Sequence, residues 1–358
     1  MTHASIAIIG AGPLGLELAA ALKLAGVDYL HFDAGQIGHT INWFPRQVRF
    51  FSSPERIAIC AMPLHTADQE KATREEYLAY LRGIVEHFDL HVRTHERVAR
   101  IEPAGDGFVL HTKHAGDEHV YACDNVVVAI GDMHRPRMLN IPGEELPHVS
   151  HYFVEPHEYF RKNLLIVGGR NSAVEAAIRC QRAGARVTIS YRRDQFDTKS
   201  VKYWLTPEIE VLIKTGQIAC YPQTVPTRIT QSAVTLAPVT SSQAAAGDDR
   251  VQVDADFVLL LTGYEMDGSL LESAGVQLHG DNHAPRYDTK TMQTNVAGLY
   301  VAGTAAAGTQ VQFRLFIENC HQHIDKIVRH ITGRPPAFDA SNKTNKALAQ
   351  RTAALPES

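Results

Sequence analysis

Gly10-Ala11-Gly12-Pro13-Leu14-Gly15 decides the fold of the first part of this chain. It follows the apolar run Ser-Ile-Ala-Ile-Ile at residues 5–9, and apolar residues recur at helical spacing over residues 16–24. The three glycines permit a tight turn, let a diphosphate touch the backbone and let the helix pack closely on the strand. Free N–H groups and the dipole at such a helix N-terminus stabilise the diphosphate. The stretch therefore predicts a strand, turn and helix that bind a dinucleotide.

The same pattern returns in the second half of the chain as Gly168-Gly169-Arg170-Asn171-Ser172-Ala173. It lies between an apolar strand predicted over residues 164–167 and a helix predicted over residues 172–182. Gly168 takes the position of the first glycine, Arg170 that of the second and Ala173 that of the third. Two such motifs, the first and second fingerprints, indicate a protein in which one nucleotide passes electrons to another.

The residues that end the second strand of each unit distinguish the two nucleotides. Asp33 follows the strand predicted over residues 29–32, where a carboxylate accepts hydrogen bonds from an adenosine ribose. Arg192 and Arg193 follow the corresponding strand of the second unit, and a guanidinium binds a 2′-phosphate that an acid would repel. The sequence therefore predicts FAD at the first fingerprint and NADPH at the second, with Arg192 the preferred phosphate ligand. The alternative is that the two arginines form a solvated surface pair.

Composition restricts the class of protein. The 358 residues are 44% hydrophobic and carry a formal net charge of -4, so neither a nucleic-acid partner nor an anionic membrane surface is expected. The sequence begins without a signal-peptide pattern and contains no apolar run long enough to cross a bilayer, so we expect a cytoplasmic protein. Its five cysteines are widely scattered without a C-x-x-C pair, which predicts neither a disulfide framework nor a metal site.

The repeated unit predicts an α/β fold with two Rossmann-like domains, the FAD-binding domain being discontinuous. Turn-forming residues around positions 134–143 favour a boundary there. We expect the first part of the FAD-binding domain at residues 1–140, the NADPH-binding domain at residues 141–265 and the second part of the FAD-binding domain at residues 266–335. Residues 336–358 are expected to form a flexible tail.

The second part of the predicted FAD-binding domain contains two further features. Gly303 and Thr304 follow a short apolar strand, and a long helix is predicted from Phe313 to Ile331. The N-terminus of that helix would stabilise negative charge on a reduced flavin. These residues are expected to complete the FAD site.

The chain resembles the low-molecular-weight thioredoxin reductase group of flavoproteins, and most of all its bacillithiol disulfide reductase branch. The resemblance extends from Ile6 to about Ile331 and implies the two-domain fold, FAD, NADPH and a homodimer. It rests on the stretches Gly10-Ala11-Gly12-Pro13, Phe44-Pro45, Phe51-Ser52, Gly169-Arg170-Asn171-Ser172-Ala173-Val174-Glu175, Val201-Lys202-Tyr203-Trp204, Leu261-Thr262-Gly263-Tyr264 and Phe316-Ile317-Glu318-Asn319.

The sequence departs from that group where electrons would leave the flavin. Thioredoxin reductases have a redox C-x-x-C pair before the second fingerprint, and this chain has residues 151–157 there without a cysteine. The bacillithiol branch instead typically has a cysteine inside the first fingerprint, where this chain has Leu14, which cannot act as a nucleophile. His151 and His157 lie where the resemblance places the redox cysteines and are candidate proton donors.

The acceptor is left open by the sequence. The preferred interpretation is an FAD-dependent oxidoreductase that takes hydride from NADPH and passes electrons to a small molecule, with a low-molecular-weight disulfide as one candidate. An NADPH-dependent oxidase or monooxygenase and a flavin-binding redox sensor with little turnover are the alternatives. Lys202 is predicted either to add charge at the nicotinamide nucleotide or to pack at a helix start. The residues predicted to bind cofactors are Gly10, Gly12, Pro13, Leu14, Gly15, Asp33, Ala129, Gly131, Gly303, Thr304 and Phe313 in the first domain, and Gly169, Arg170, Asn171, Ser172, Ala173, Arg192, Arg193 and Lys202 in the second.

Overall fold

The computed structural model describes residues 2–197, 201–239, 249–310 and 314–338. The strands in these ranges are β1 (Thr2–Ile9), β2 (Tyr29–Phe32), β3 (Glu96–Ala104), β4 (Gly107–His114), β5 (Asp117–Val128), β6 (Arg135–Pro136), β7 (Val149–Ser150), β8 (Asn163–Val167), β9 (Arg186–Tyr191), β10 (Ala219–Pro222), β11 (Thr224–Ile229), β12 (Ala233–Pro238), β13 (Val251–Asp254), β14 (Phe257–Leu260), β15 (Tyr264–Glu265), β16 (Leu278–His279), β17 (Ala284–Pro285) and β18 (Leu299–Val301). The helices are α1 (Pro13–Leu24), α2 (His39–Asn42), α3 (Pro54–Ile57), α4 (Arg74–His87), α5 (Asn171–Arg182), α6 (Leu205–Lys214), α7 (Ser269–Ser273) and α8 (Ile317–Thr332), with 3-10 turns at His157–Tyr159 and Gly303–Ala307.

The contact pattern divides the chain into two units. Residues 2–43, 47–135 and 264–338 form the first unit, and residues 44–46 and 136–263 form the second. The boundaries therefore fall five and two residues before the predicted ones. The segment 44–46 groups with the second unit because the Arg46 N–H donates to the Val154 carbonyl (2.8 Å) and Arg179 donates to the Arg46 carbonyl (2.6 Å). Beyond Phe338 the predicted tail lies outside the described residues.

The first unit is built on one sheet in the order β2-β1-β5-β4-β3, with β18 also paired to β5. The long strand β5 pairs with different neighbouring strands along its two halves. Its first half pairs antiparallel with β4, and its second half lies parallel between β1 and β18. Helix α1 packs on α8, and each helix contains several buried apolar side chains.

The second unit is built on a fully parallel sheet in the order β10-β9-β8-β14-β7. The neighbouring strands β8 and β14 are almost entirely apolar and buried, as expected for parallel strands that are covered on both faces. The apolar faces of α5 and α6 contribute to the core on one face. The antiparallel strands β11, β12 and β13 contribute to a second core on the other face.

Helix limits differ from the prediction at two places. Helix α1 begins at Pro13 rather than Leu16, because proline is favoured at the first helical position, where its missing N–H costs nothing. The last helix begins at Ile317 and ends at Thr332, and it is followed by Gly333, whose φ of 71° gives a left-handed cap. Phe313, the predicted start of that helix, lies outside the described residues. Among the described helices, none combines the length and apolar character needed to span a bilayer.

Candidate nucleotide sites

The first fingerprint forms a turn that only glycine fits at two of its three positions. Gly10 has a φ of 108°, and a Cβ there would overlap the carbonyl of Ala129, so this predicted cofactor-binding residue is a direct neighbour of the fingerprint. A Cβ on Gly15 would overlap the carbonyl of Gly10. In contrast, a Cβ on Gly12 would have no atom of the described chain within 4 Å. The backbone at Gly12 therefore faces space into which a pyrophosphate can fit.

The N-terminus of α1 is suited to an anion. Its N-cap residue is Gly12, which supplies no side-chain cap, and the first turn contains Pro13 and no acidic residue. The first N–H groups of the helix therefore have no intrahelical partner, and the helix dipole favours negative charge at the same point. This arrangement fits the diphosphate of FAD.

Asp33 stabilises the turn of the first fingerprint through two backbone hydrogen bonds. Its Oδ2 accepts from the Ala11 N–H (2.6 Å) and its Oδ1 accepts from the Gly35 N–H (2.8 Å). A carboxylate has about four acceptor positions, so these bonds still permit contacts to ribose hydroxyls. Sequence spacing assigned Asp33 to the nucleotide alone, and the structure adds the backbone contacts.

His31 is a neighbour of the fingerprint that the sequence analysis did not identify. It is buried, and its Nε2 donates to the Gly10 carbonyl at 2.9 Å. Burial lowers the pKa of this imidazole to about 4, so the ring is neutral and its single proton is on Nε2. The ring therefore fixes the carbonyl around which the fingerprint turns.

The predicted second part of the FAD site lies beside the first fingerprint. A Cβ on Gly303 would be 3.6 Å from the Cγ of Leu14, and a Cβ on Gly131 would be 3.8 Å from the Oγ1 of Thr304. These contacts occur because β1, β5 and β18 are adjacent parallel strands that end at the same sheet edge. The structure thus brings together Leu14, Gly131, Gly303 and Thr304, which are distant in sequence.

The second fingerprint has the same close approaches. Gly168 has a φ of 144°, and a Cβ there would meet the Leu261 carbonyl. A Cβ on Gly169 would overlap the ring of Tyr191. Helix α5 has no side-chain cap and no acidic residue in its first turn. Ser172 is exposed in that turn and Ala173 is buried against the strand, as the third position requires.

Arginines surround the second fingerprint. Burial lowers the pKa of half-buried Arg170, and the positive charges of Arg192, Arg193 and Arg137 lower it further. Arg193 is paired with Asp197 at 3.1 Å. Within the described chain, neither Arg170 nor Arg192 forms an ion pair with an acid. Guanidinium groups that repel one another and lack acidic partners fit a ligand with several phosphate charges.

Lys202 is held at the same helix N-terminus. Its backbone N–H donates to Oδ1 of Asn171 at 2.8 Å, so Asn171 acts on the loop as well as in the fingerprint. The Lys202 ammonium lies 5.9 Å from the ring centre of Trp204. Both alternatives for Lys202 therefore find support, since it is near the second fingerprint and also packs at the start of α6.

The two histidine candidates have different surroundings. The Nε2 of His151 lies 3.4 Å from Oε1 of Glu144, and neither of its buried ring nitrogens makes a hydrogen bond within the described chain. His157 lies in a 3-10 turn and is exposed. No contact joins the two rings among the contacts of the described residues.

None of the five cysteines is activated as a nucleophile. Four are buried and Cys220 is half-buried. Burial raises the pKa of every one of them, to about 12 for Cys123, Cys180 and Cys320. All five lie in the described part of the chain, where no group of three or more potential ligands is arranged to hold a metal ion. Thiolate chemistry by these residues is therefore disfavoured near neutral pH.

A buried polar cluster connects the fingerprint helix to α8. His321 donates from Nδ1 to a carboxylate oxygen of Glu17 (2.8 Å) and from Nε2 to the Arg56 carbonyl (3.2 Å). Since both partners are acceptors, the ring carries both protons. Burial alone would lower the pKa of His321, but the charge and hydrogen bond of Glu17 outweigh it and raise the pKa to about 9. Arg56 also pairs with Glu318 at 3.4 Å.

We expect His321 to make stability depend on alkaline pH. Its pKa is raised in the folded state above the ordinary 6.5, so its contribution is complete below about pH 6.5 and is lost as the pH rises through 9. Urea unfolding of the wild type and of His321→Gln should show a stability difference that shrinks by about 2 to 3 kcal/mol between pH 6 and pH 10. The other groups that face the cluster are the same in both proteins; they are Glu17, Glu318, Arg56 and Cys60. The difference in the free energy of unfolding therefore reports the contribution of the His321 imidazole. A difference that is constant with pH would contradict this assignment.

Comparison with known proteins places these two sites in a family. The family model described as pyridine nucleotide-disulphide oxidoreductase matches residues 7–303. The chain is 33% identical over 328 residues to bacilliredoxin reductase Bdr of Bacillus subtilis, covering 91% of this chain and 97% of that protein. It is 29% identical over 300 residues to a ferredoxin--NADP reductase of Ignicoccus hospitalis, covering 83% of this chain and 88% of that protein.

A solved structure gives the same result. The bacillithiol disulfide reductase Bdr (YpdA) of Bacillus cereus superposes with a TM-score of 0.86 at 34% identity, covering 93% of this chain and all of that one. These matches confirm the predicted resemblance, the α/β fold of two nucleotide-binding domains, and FAD and NADPH as cofactors. The chain belongs to the pyridine nucleotide-disulphide oxidoreductase family and is an FAD-dependent oxidoreductase that takes its electrons from NADPH and passes them to a small-molecule acceptor.

Proposed function

We propose that the acceptor is a low-molecular-weight disulfide of the bacillithiol type, and that it is reduced without a cysteine of this chain. The balanced reaction consumes NADPH, one proton and the disulfide, and yields NADP⁺ and two thiols. Support for the disulfide comes from the relatives named as bacilliredoxin and bacillithiol disulfide reductases at 33% and 34% identity. Support for the absence of a protein thiol comes from the burial of the cysteines and from Leu14 beside Gly303.

The residues of the two sites have proposed roles that follow from their geometry. The turn formed by Gly10, Gly12 and Gly15 and the free N-terminus of α1 hold the FAD diphosphate, and Asp33 holds the ribose. Leu14, Ala129, Gly131, Gly303 and Thr304 line the same sheet edge. FAD, when bound, accepts hydride from NADPH and delivers two electrons.

At the second site, Gly169, Ser172 and Ala173 shape the turn, and Asn171 positions Lys202. Arg170, Arg192 and Arg193 bind phosphate groups. His151, whose Nε2 lies 3.4 Å from Oε1 of Glu144, and the exposed His157 are both proposed as proton donors for the leaving thiolate. Phe313 lies outside the described residues and has no structural role assigned.

Alkylation of thiols tests the proposal. We expect iodoacetamide added after anaerobic reduction by NADPH to leave disulfide reductase activity unchanged, because the thiols are buried and their pKa values are raised. Cys220→Ser is the matched control, since Cys220 is the only half-buried thiol of the five. Stopped flow should show rapid reoxidation of the reduced protein by bacillithiol disulfide. Stoichiometric inactivation by iodoacetamide, or no reoxidation by any low-molecular-weight disulfide, would contradict the proposal.

A one-electron protein acceptor is the second candidate. The observation that favours it is the likeness to ferredoxin--NADP reductases together with the lack of an activated thiol. The same reoxidation experiment distinguishes the candidates, because an oxidised ferredoxin would accept electrons where the disulfide does not. Reoxidation by oxygen through a long-lived intermediate would instead favour a monooxygenase.

The resemblance also supports a homodimer located in the cytoplasm, and both are part of this proposal. Light scattering of the FAD-loaded protein tests whether it is a homodimer. A mass equal to one chain at micromolar concentration would contradict it.

A further inference from the structure

An arginine outside both fingerprints lies at the second nucleotide site. Arg137 precedes the second fingerprint by about thirty residues and belongs to the same unit. Its N–H donates to the Gly263 carbonyl (2.9 Å), and the Thr262 hydroxyl donates to its carbonyl (3.0 Å). Arg137 is therefore fixed to the segment that follows β14, and it is half-buried there.

That segment adjoins the second fingerprint. The Leu261 N–H donates to the Val167 carbonyl (2.9 Å), so the pairing of β14 with β8 continues to the point where β8 ends. The Leu261 carbonyl is the atom that a Cβ on Gly168 would meet. Gly263, to which Arg137 is hydrogen-bonded, is two residues after Leu261. Arg137 thus lies at the carboxyl edge of the sheet, where open α/β sheets bind their ligands.

The sheet order places Arg137 opposite the other arginines. Strand β8 lies between β9 and β14. Arg192 and Arg193 follow β9, which is the second strand of this βαβ unit. In dinucleotide-binding units, the residue after the second strand contacts the adenosine ribose. Arg137 is bonded to the segment that follows β14, which lies on the other side of β8 from β9. The positive charge of Arg137 also contributes to lowering the pKa of Arg170, in agreement with the placement of both residues at this sheet edge.

We propose that Arg137 binds the pyrophosphate of NADPH from the nicotinamide side of the second fingerprint. This contact is shared by NADPH and NADH, because both contain the pyrophosphate. Arg192 and Arg193 would instead recognise the 2′-phosphate, which NADH lacks. Arg170 at the N-cap of α5 lies between the two positions. The inference rests on the proposed placement of NADPH at this fingerprint and adds a residue that determines affinity rather than selectivity.

Calorimetric titration of the oxidised, FAD-loaded protein tests this role. We expect Arg137→Gln to weaken binding of both NADP⁺ and NAD⁺ by about tenfold or more, the loss of one hydrogen bond to a charged group. Binding of 2′-AMP, which has the 2′-phosphate but no pyrophosphate, should be unchanged. Arg135→Gln is the matched control, because Arg135 is exposed and paired with Glu265 at 3.5 Å, and it should bind all three ligands as the wild type does.

The outcomes separate this inference from the proposals on which it depends. Wild-type affinity for NAD⁺ and NADP⁺ in Arg137→Gln would overturn it, and so would a loss confined to NADP⁺ and 2′-AMP. Failure of 2′-AMP to bind the wild type would overturn the placement of the 2′-phosphate instead. The readout is equilibrium binding, so it does not depend on the identity of the electron acceptor. If Arg137→Gln is poorly folded, Arg137→Lys takes its place in the test. This variant keeps the charge without the guanidinium fork, so it should retain only part of the wild-type affinity for NADP⁺ and NAD⁺.

Discussion

Gly15→Ala is expected to abolish FAD retention and to lower the free energy of unfolding by about 3 kcal/mol. The added methyl group would overlap the Gly10 carbonyl, which is backbone and is already held by the His31 ring. Neither partner can move without opening the turn that the first fingerprint forms. Thermal unfolding of the apoprotein and the flavin absorbance of the purified protein measure the two effects.

Two other glycines provide the controls. Gly12→Ala should change the stability of the apoprotein by less than about 1 kcal/mol, since no atom of the described chain lies within 4 Å of the new methyl group. It should still weaken FAD binding, because the methyl group would take the space that we assign to the pyrophosphate. Gly83→Ala, inside α4 with open space around it, should keep FAD and stabilise the protein by about 0.5 to 1 kcal/mol. Normal FAD content in Gly15→Ala, or full FAD affinity in Gly12→Ala, would contradict the assignment of this site.

Arg192→Gln is expected to raise the Kd for NADPH by about 10- to 100-fold, while the Kd for NADH stays unchanged. Arg192 is exposed and, among the described residues, has no acidic partner, so its full charge is available to a 2′-phosphate. Arg193→Gln should have a smaller effect, because Asp197 already neutralises part of that charge at 3.1 Å. Fluorescence titration with each nucleotide measures the ratio of the two affinities.

Arg186→Gln serves as the control for this experiment. Arg186 begins β9 and binds the Asn163 side chain (2.7 Å), so it lies at the opposite end of the strand that precedes Arg192. Its loss should leave both affinities unchanged. Equal weakening of NADPH and NADH in Arg192→Gln would instead show that the arginine is a general phosphate contact, and unchanged affinity for both would show that it belongs to a solvated surface pair.

The sequence by itself determined the features that depend on short-range order. Each fingerprint lies within about 30 residues of chain, the length of one βαβ unit. That length also includes the strand before the fingerprint and the residue that follows the next strand. Their spacing therefore predicted the fold class and both cofactors, which the comparisons confirm. The absence of a cysteine at position 14 was also readable directly.

Only the tertiary structure decided which distant side chains meet. Arg137 reaches the second fingerprint because the end of β14 is paired beside β8, and the Arg137 backbone is bonded to a residue 126 positions later. Glu17 meets His321 because α1 packs on α8. Such contacts depend on the packing of whole elements, which local spacing does not encode. The burial of Cys123 and Cys180 has the same origin, since the cores that contain them are formed by side chains from separate parts of the chain.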